Sequence, residues 1–273
     1  MSSPMRIYRL INLLSLDVVA GAVVCALFFA RVFEVGVRPF GLIALGLTVW
    51  IIYTADHLRD ARKIMGEAST ERHRFHQVHY RKLIILTTVA LFLDVIAIMF
   101  IKQQVLAWGV ALSFVVFAYL LVQGSLKFLK ELFIAILYTC GILLLSVPVS
   151  SVKFSPPYYL LVVQFLIAAL ANLLMFSWFD RELDQQDKRY SFVTKAGEAT
   201  TRGIVWFLLL LLLALTLTQF ITETLLMPSL IVGCMGLMLL MIFIYRESLA
   251  KKDYYRLLGD AVFLVPVIYL LLI

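Results

Sequence analysis

The residues best placed to do chemistry are carboxylates that stand where apolar runs end. In Phe176-Ser177-Trp178-Phe179-Asp180-Arg181-Glu182-Leu183-Asp184-Gln185-Gln186-Asp187-Lys188, a long hydrophobic stretch gives way to acids. On a helix Asp180, Asp184 and Asp187 fall at i, i+4 and i+7, which is one face. Acids on one stripe repel one another, so an ordinary solvated face would intersperse Lys or Arg among them. Oxygen-liganded Mg²⁺ suits such a stripe, because it takes one or two carboxylates and completes its shell with water and substrate phosphates. The arrangement recurs upstream in Tyr53-Thr54-Ala55-Asp56-His57-Leu58-Arg59-Asp60, where Asp56 and Asp60 are again at i, i+4. Two such acid ends imply a site for Mg²⁺ and a phosphorylated ligand. The second, with Asp187 as a third acid in line, is expected to be the stronger.

Basic residues stand ready as counter-charges. Lys127 and Lys130 follow a break at Gly124-Ser125, and Lys188-Arg189 follows the second acid stripe. The connection over 59–82 is basic and amphipathic, beginning with Arg59, and reads as a cap for phosphate or a grip on the membrane surface. His73, His76 and His79 are spaced too widely around a helix to suit zinc. Asn172 lies eight residues before Asp180, within about 80° of it on a helix, and is expected to line the same cavity. Asp17, Asp94 and Gln164 are polar groups inside apolar runs, where they usually face a cavity or a partner.

These groups must be positioned by a membrane. Hydrophobic residues make up 63% of the 273 and the mean hydropathy is +0.97, against roughly 45–50% apolar usage in soluble domains. Reading stretches of about 18–25 residues gives an all-α integral membrane protein, a single bundle of about nine transmembrane helices near 10–30, 37–56, 83–101, 105–123, 131–149, 157–179, 203–221, 225–245 and 256–273. Of 24 Lys and Arg, 20 fall on the N-terminus and the connections after the even-numbered spans. The positive-inside rule then places the N-terminus in the cytoplasm and the C-terminus outside, as in a bacterial inner-membrane protein. The net charge of +7 is accounted for by topology, anionic membrane lipid and an anionic substrate, with no nucleic acid. Cys25, Cys140 and Cys234 lie far apart inside apolar runs and read as packing residues. Spans seven to nine carry almost no internal polar groups and read as scaffold.

Acids for Mg²⁺, bases for the remaining phosphate charge and an apolar bundle below suit an isoprenyl diphosphate. Its chemistry is metal-assisted departure of diphosphate, then capture of the allylic cation by a lipophilic or aromatic acceptor. Tyr53, Trp178 and Phe179 are aromatic faces able to stabilise the cation. In this respect the chain resembles the UbiA superfamily of intramembrane prenyltransferases. The resemblance covers most of the chain: nine spans, acidic motifs ending spans two and six, and a tyrosine-to-lysine segment from Tyr119 to Lys127 or Lys130. Asp56 and Asp60 match the last two acids of the family's N-D-x-x-D-x-x-x-D, whereas Ile52 and Tyr53 stand where its Asn and first Asp would be. Asp180 to Asp184, the basic stretch at Lys188 and Gly197 match the second motif. The resemblance implies Mg²⁺ on Asp56, Asp60, Asp180 and Asp184 as the catalytic acids. It places the substrate against Tyr53, Arg59, Tyr119, Lys127, Lys130, Asn172, Asp187 and Lys188. The alternatives are a binding-only member of the same fold and a transporter. The phosphatidyltransferase pattern does not fit, since no Asp-Gly follows the first acids and the second pair lies in another span.

Overall fold

The computed structural model describes residues 3–126, 129–186, 191–249 and 254–272, and every regular element among them is helical. In chain order these are α1 (Ser3–Leu13), α2 (Leu16–Val32), α3 (Pro39–Lys63), α4 (Glu71–Val78), α5 (Tyr80–Ile98), α6 (Gln103–Leu126), α7 (Lys130–Leu143), α8 (Pro156–Phe179), α9 (Arg181–Gln186), α10 (Phe192–Ala196), α11 (Glu198–Ile221), α12 (Leu226–Ile244), α13 (Arg246–Leu249), α14 (Tyr254–Ala261) and α15 (Val267–Leu272). Short 3₁₀ turns at Val147–Val149 and Val262–Leu264 extend α7 and join α14 to α15.

Seven helical segments among the described residues are long and apolar enough to cross a membrane, or eight if the bent pair Ile7–Leu13 and Leu16–Val32 counts as one span. The expected count of nine is therefore met only in part. The expected third span falls on the 19-residue α5, which is not among those seven: Arg81, Lys82 and Asp94 place three charged residues in every 18-residue stretch of it. The expected first span is not one straight helix. Ser15 adopts φ 55°, a left-handed conformation that a non-glycine residue adopts only at a cost, and the chain turns by 77° between α1 and α2.

Local sequence explains several boundaries. Pro39 and Pro156-Pro157 open α3 and α8, where a missing N–H costs nothing. The Thr70 side chain accepts from the His73 N–H and starts α4. Ser191 and Thr194 form a reciprocal cap on α10, which ends at Gly197 with φ 86°. α8 is the most enclosed of the spanning helices and packs on α7, α11 and α12, while α2 packs on α3, α7, α14 and α15. Phe29 of α2 meets Phe165 of α8 edge-on at 5.2 Å, and Phe165 in turn meets Phe263 at 6.0 Å. This aromatic core holds α2, α8 and the last span together, and it fixes how the polar ends of the helices meet.

Candidate active site

One cavity of about 240 Å³ opens between the helix ends. From α3 it takes Tyr53, Asp56, His57 and Asp60, which share a face at i, i+3, i+4 and i+7. From α8 it takes Asn172, Phe176 and Asp180, again one face, and the next turn adds Asp184, whose N–H bonds the Asp180 carbonyl at 2.8 Å. Tyr119 of α6, Lys130 and Glu131 of α7, Arg72 and His73 of α4, and Arg256 and Asp260 of α14 add to the polar rim. Val18, Ile52, Ile134, Leu173 and Phe263 line its apolar part.

Of the residues proposed from sequence, Asp56, Asp60, Asp180, Asp184, Tyr53, Tyr119, Lys130 and Asn172 border this cavity. Arg59 does not. It lies at the flank of that face of α3, where its guanidinium donates to the Leu120 carbonyl at 3.1 Å and borders a separate groove against α5. Lys127, Asp187 and Lys188 lie outside the described residues. Trp178 and Phe179 also fall outside the cavity wall: Arg181 covers the Trp178 ring at 5.3 Å, and Phe179 stacks on Tyr255 at 4.2 Å.

The acids around the cavity are not equivalent. Asp180 is buried and accepts from the Tyr255 hydroxyl on one oxygen and from the Arg256 guanidinium on the other. Asp260 accepts from Asn12 at 3.0 Å and faces Arg72 at 3.6 Å, and the same Asn12 amide reaches Asp17. Arg72 also donates to Asn12 Oδ1 at 2.9 Å, so α1, α2, α4 and α14 meet in one buried polar network. Asp94, the other acid within an apolar run, accepts from Thr48 at 2.8 Å and ties α5 to α3. Glu131 accepts from the Phe192 N–H at 2.7 Å, while its Oε2 is buried and has no hydrogen-bond partner among the described residues. The charges of Asp56, Asp60 and Glu131 all act on Tyr119, and that of Asp184 acts on Glu131.

Histidines border the same space. His57 stands edge-on to His73 at 6.0 Å and to His76 at 5.1 Å, and its Nε2 is buried and has no hydrogen-bond partner among the described residues. His76 donates from Nδ1 to the Arg72 carbonyl at 2.8 Å. Burial pushes the His76 pKa down, which keeps the ring neutral.

Sequence reasoning missed Glu131, Tyr255, Arg256 and Asp260, and it reached Arg72 only as one of the basic residues of the 59–82 connection, expected to cap the phosphate. Tyr255, Arg256 and Asp260 correct the reading of spans seven to nine as plain scaffold, since α14 puts Arg256 and Asp260 in the cavity wall and Tyr255 behind Asp180. Spans six to eight also share a buried polar knot in which Gln164 donates to Ser229 at 3.0 Å and to Thr216 at 3.4 Å. Arg256 and Asp260 are spaced i, i+4 at the head of an apolar run, the same signal that flagged Asp56 and Asp60.

The acids pass a simple chemical test as hosts for Mg²⁺. All are hard oxygen donors, and the orphaned Glu131 Oε2 is a buried acceptor beside them. Among the described residues no group of three or more His, Cys, Asp or Glu side chains is placed to hold a metal ion by itself. A metal shared between one or two carboxylates and a substrate diphosphate requires no such group. No family model matches the chain, and no curated protein matches it.

Proposed function

We propose that the protein is a nine-span intramembrane prenyltransferase of the UbiA type, with its N-terminus and acid-rich helix ends in the cytoplasm. The observation that supports this reading is the shared cavity. Two separated pairs of aspartates, three cationic side chains (Arg72, Lys130 and Arg256) and an apolar floor border one space, as an isoprenyl diphosphate requires.

In this reading Asp56, Asp60 and Asp184 hold Mg²⁺, with Glu131 behind them. The bound ion supplies charge neutralisation that makes diphosphate a leaving group. Arg72 and Lys130 bind the remaining diphosphate charge as hydrogen-bonding cations. Asp180 serves differently from the sequence-based expectation: it fixes Arg256 and Tyr255 at the cavity edge. The Ile134, Leu173 and Phe263 side chains receive the prenyl chain and exclude water. The C1–O bond breaks with its electron pair leaving on diphosphate, and Tyr53, Tyr119 and Phe176 present aromatic faces to the allylic cation. A nucleophilic carbon or oxygen of the acceptor forms the new bond to C1. The proton it loses passes to His57, whose ring lines the cavity.

A second reading, a binding-only protein of the same fold, draws support from the Asp180–Arg256 pair and from Ile52 and Tyr53 at metal-ligand positions of the first motif. Calorimetric titration with a non-hydrolysable farnesyl thiodiphosphate tests both. The enzyme reading expects binding that needs Mg²⁺ and weakens about tenfold or more, ~1.4 kcal/mol, in Asp56→Asn and in Asp184→Asn. Equal binding in EDTA, unchanged in both variants, would contradict it in favour of the second reading.

A further inference from the structure

A second feature lies on the outer side of α3, away from the active-site cavity. A groove of about 600 Å³ runs between α3 and α5, and Arg59, Arg62 and Lys63 stand at its head. The three are spaced i, i+3 and i+4, so one helix face presents three cations to one place. Among the described residues neither Arg62 nor Lys63 pairs with a carboxylate, and no acid lines the groove.

The wall below the cations is apolar. Ala55 and Leu58 form one side, and Ile84, Thr87, Thr88 and Leu91 form the other. Both threonine hydroxyls are already spent on their own helix, Thr87 on the Leu83 carbonyl at 2.7 Å and Thr88 on the Ile84 carbonyl at 3.0 Å. Tyr80 stands at the level of the cations and Leu91 at the far end. At 1.5 Å per residue the groove runs roughly 16 Å along α5, about half of a ~30 Å hydrocarbon core.

We infer that this groove is a binding site for an anionic phospholipid, with the headgroup phosphate on Arg59, Arg62 and Lys63 and one acyl chain lying against Ile84, Thr88 and Leu91. A phosphate answers the unpaired cations, and only an attached chain of about one leaflet's depth answers the wall beneath them. Neutral phospholipid satisfies the wall but carries its own ammonium against the cations. Free phosphate satisfies the cations but leaves the wall bare. The inference is independent of prenyl transfer.

Native mass spectrometry of the detergent-purified full chain, titrated with phosphatidylglycerol or phosphatidylcholine, tests it. The expected result is saturable one-to-one binding of phosphatidylglycerol and none of phosphatidylcholine. Arg62→Gln/Lys63→Gln should weaken it by about tenfold to thirtyfold, the loss expected for two surface cations. Arg81→Gln/Lys82→Gln removes the same charge from the same membrane face outside the groove and should change binding less than about twofold. Thr88→Trp, which fills the groove and leaves every cation in place, should also abolish it. Equal losses in the two double variants would reduce the effect to diffuse surface attraction and overturn the site. Displacement by millimolar inorganic phosphate, or full binding by Thr88→Trp, would overturn it in favour of a bare anion site.

Discussion

Arg256, in the first turn of the last span, closes a buried ion pair on Asp180 at the end of α8. The pair sits where the carbonyl end of α8 would otherwise repel a carboxylate, and the Tyr255 hydroxyl takes the second oxygen. Removing one partner of such a pair leaves an uncompensated charge, whereas removing both does not. Arg256→Gln is therefore expected to destabilise the protein by about 3–5 kcal/mol, read as a lowered melting temperature in detergent. Asp180→Asn added to it should recover part of that loss. Additive losses would show that the two residues do not interact.

Gly259 and Gly233 separate site geometry from packing. A Cβ on Gly259 would stand 2.6 Å from Phe176 Cε1 and 2.7 Å from Asn172 Oδ1, the tips of two cavity-lining side chains. Gly259→Ala is expected to push both into the cavity and weaken prenyl diphosphate analogue binding several-fold, with little change in melting.

At Gly233 a Cβ would meet Thr216 Cγ2 at 2.7 Å, in the α11–α12 seam outside the cavity wall. Gly233→Ala should cost about 1–3 kcal/mol of stability and leave analogue affinity unchanged. Melting curves and analogue titration on both variants check the contrast. Identical behaviour of the two glycines would contradict it.

The acid ends of α3 and α8 were legible in the sequence because each pairs an apolar run with aspartates at i, i+4, a pattern that composition does not dilute. The wall from α14 was not, although Arg256 and Asp260 carry the same spacing, because the hydropathy of the following residues marks the segment as a plain span. Arg72 was legible only as one of several Arg residues in the 59–82 connection expected to cap the phosphate, and nothing in the local sequence singles it out from the others. The break between α1 and α2 had no Pro or Gly to announce it. It follows from Asn12, Asp17, Arg72 and Asp260 satisfying one another, a tertiary network that no local window contains. Arg59 falls outside the wall because it stands at the flank of the face that Asp56 and Asp60 share, where the Leu120 carbonyl takes its guanidinium.

His76 makes the cap over the cavity sensitive to acid. Its folded-state pKa is depressed by burial, so as pH falls below about 6.5 the unfolded chain takes up the proton first. Stability from this group is intact at neutral pH and lost as pH falls through the folded-state value. His76→Asn keeps a donor for the Arg72 carbonyl and removes the titration. The parent's melting temperature should fall more between pH 7 and pH 5 than that of the variant, and parallel profiles would contradict the assignment.

Turnover tests the central claim most directly. Purified protein is incubated with Mg²⁺, labelled prenyl diphosphates of several chain lengths and a membrane extract supplying acceptors, and products are separated by mass. The account predicts a prenylated lipophilic product and stoichiometric diphosphate, both lost in EDTA and in Asp56→Asn, Asp60→Asn and Asp184→Asn. His57→Gln should slow product formation while analogue binding persists. Folded protein that binds the analogue yet forms no product at any chain length, or aspartate variants that turn over like the parent, would contradict it.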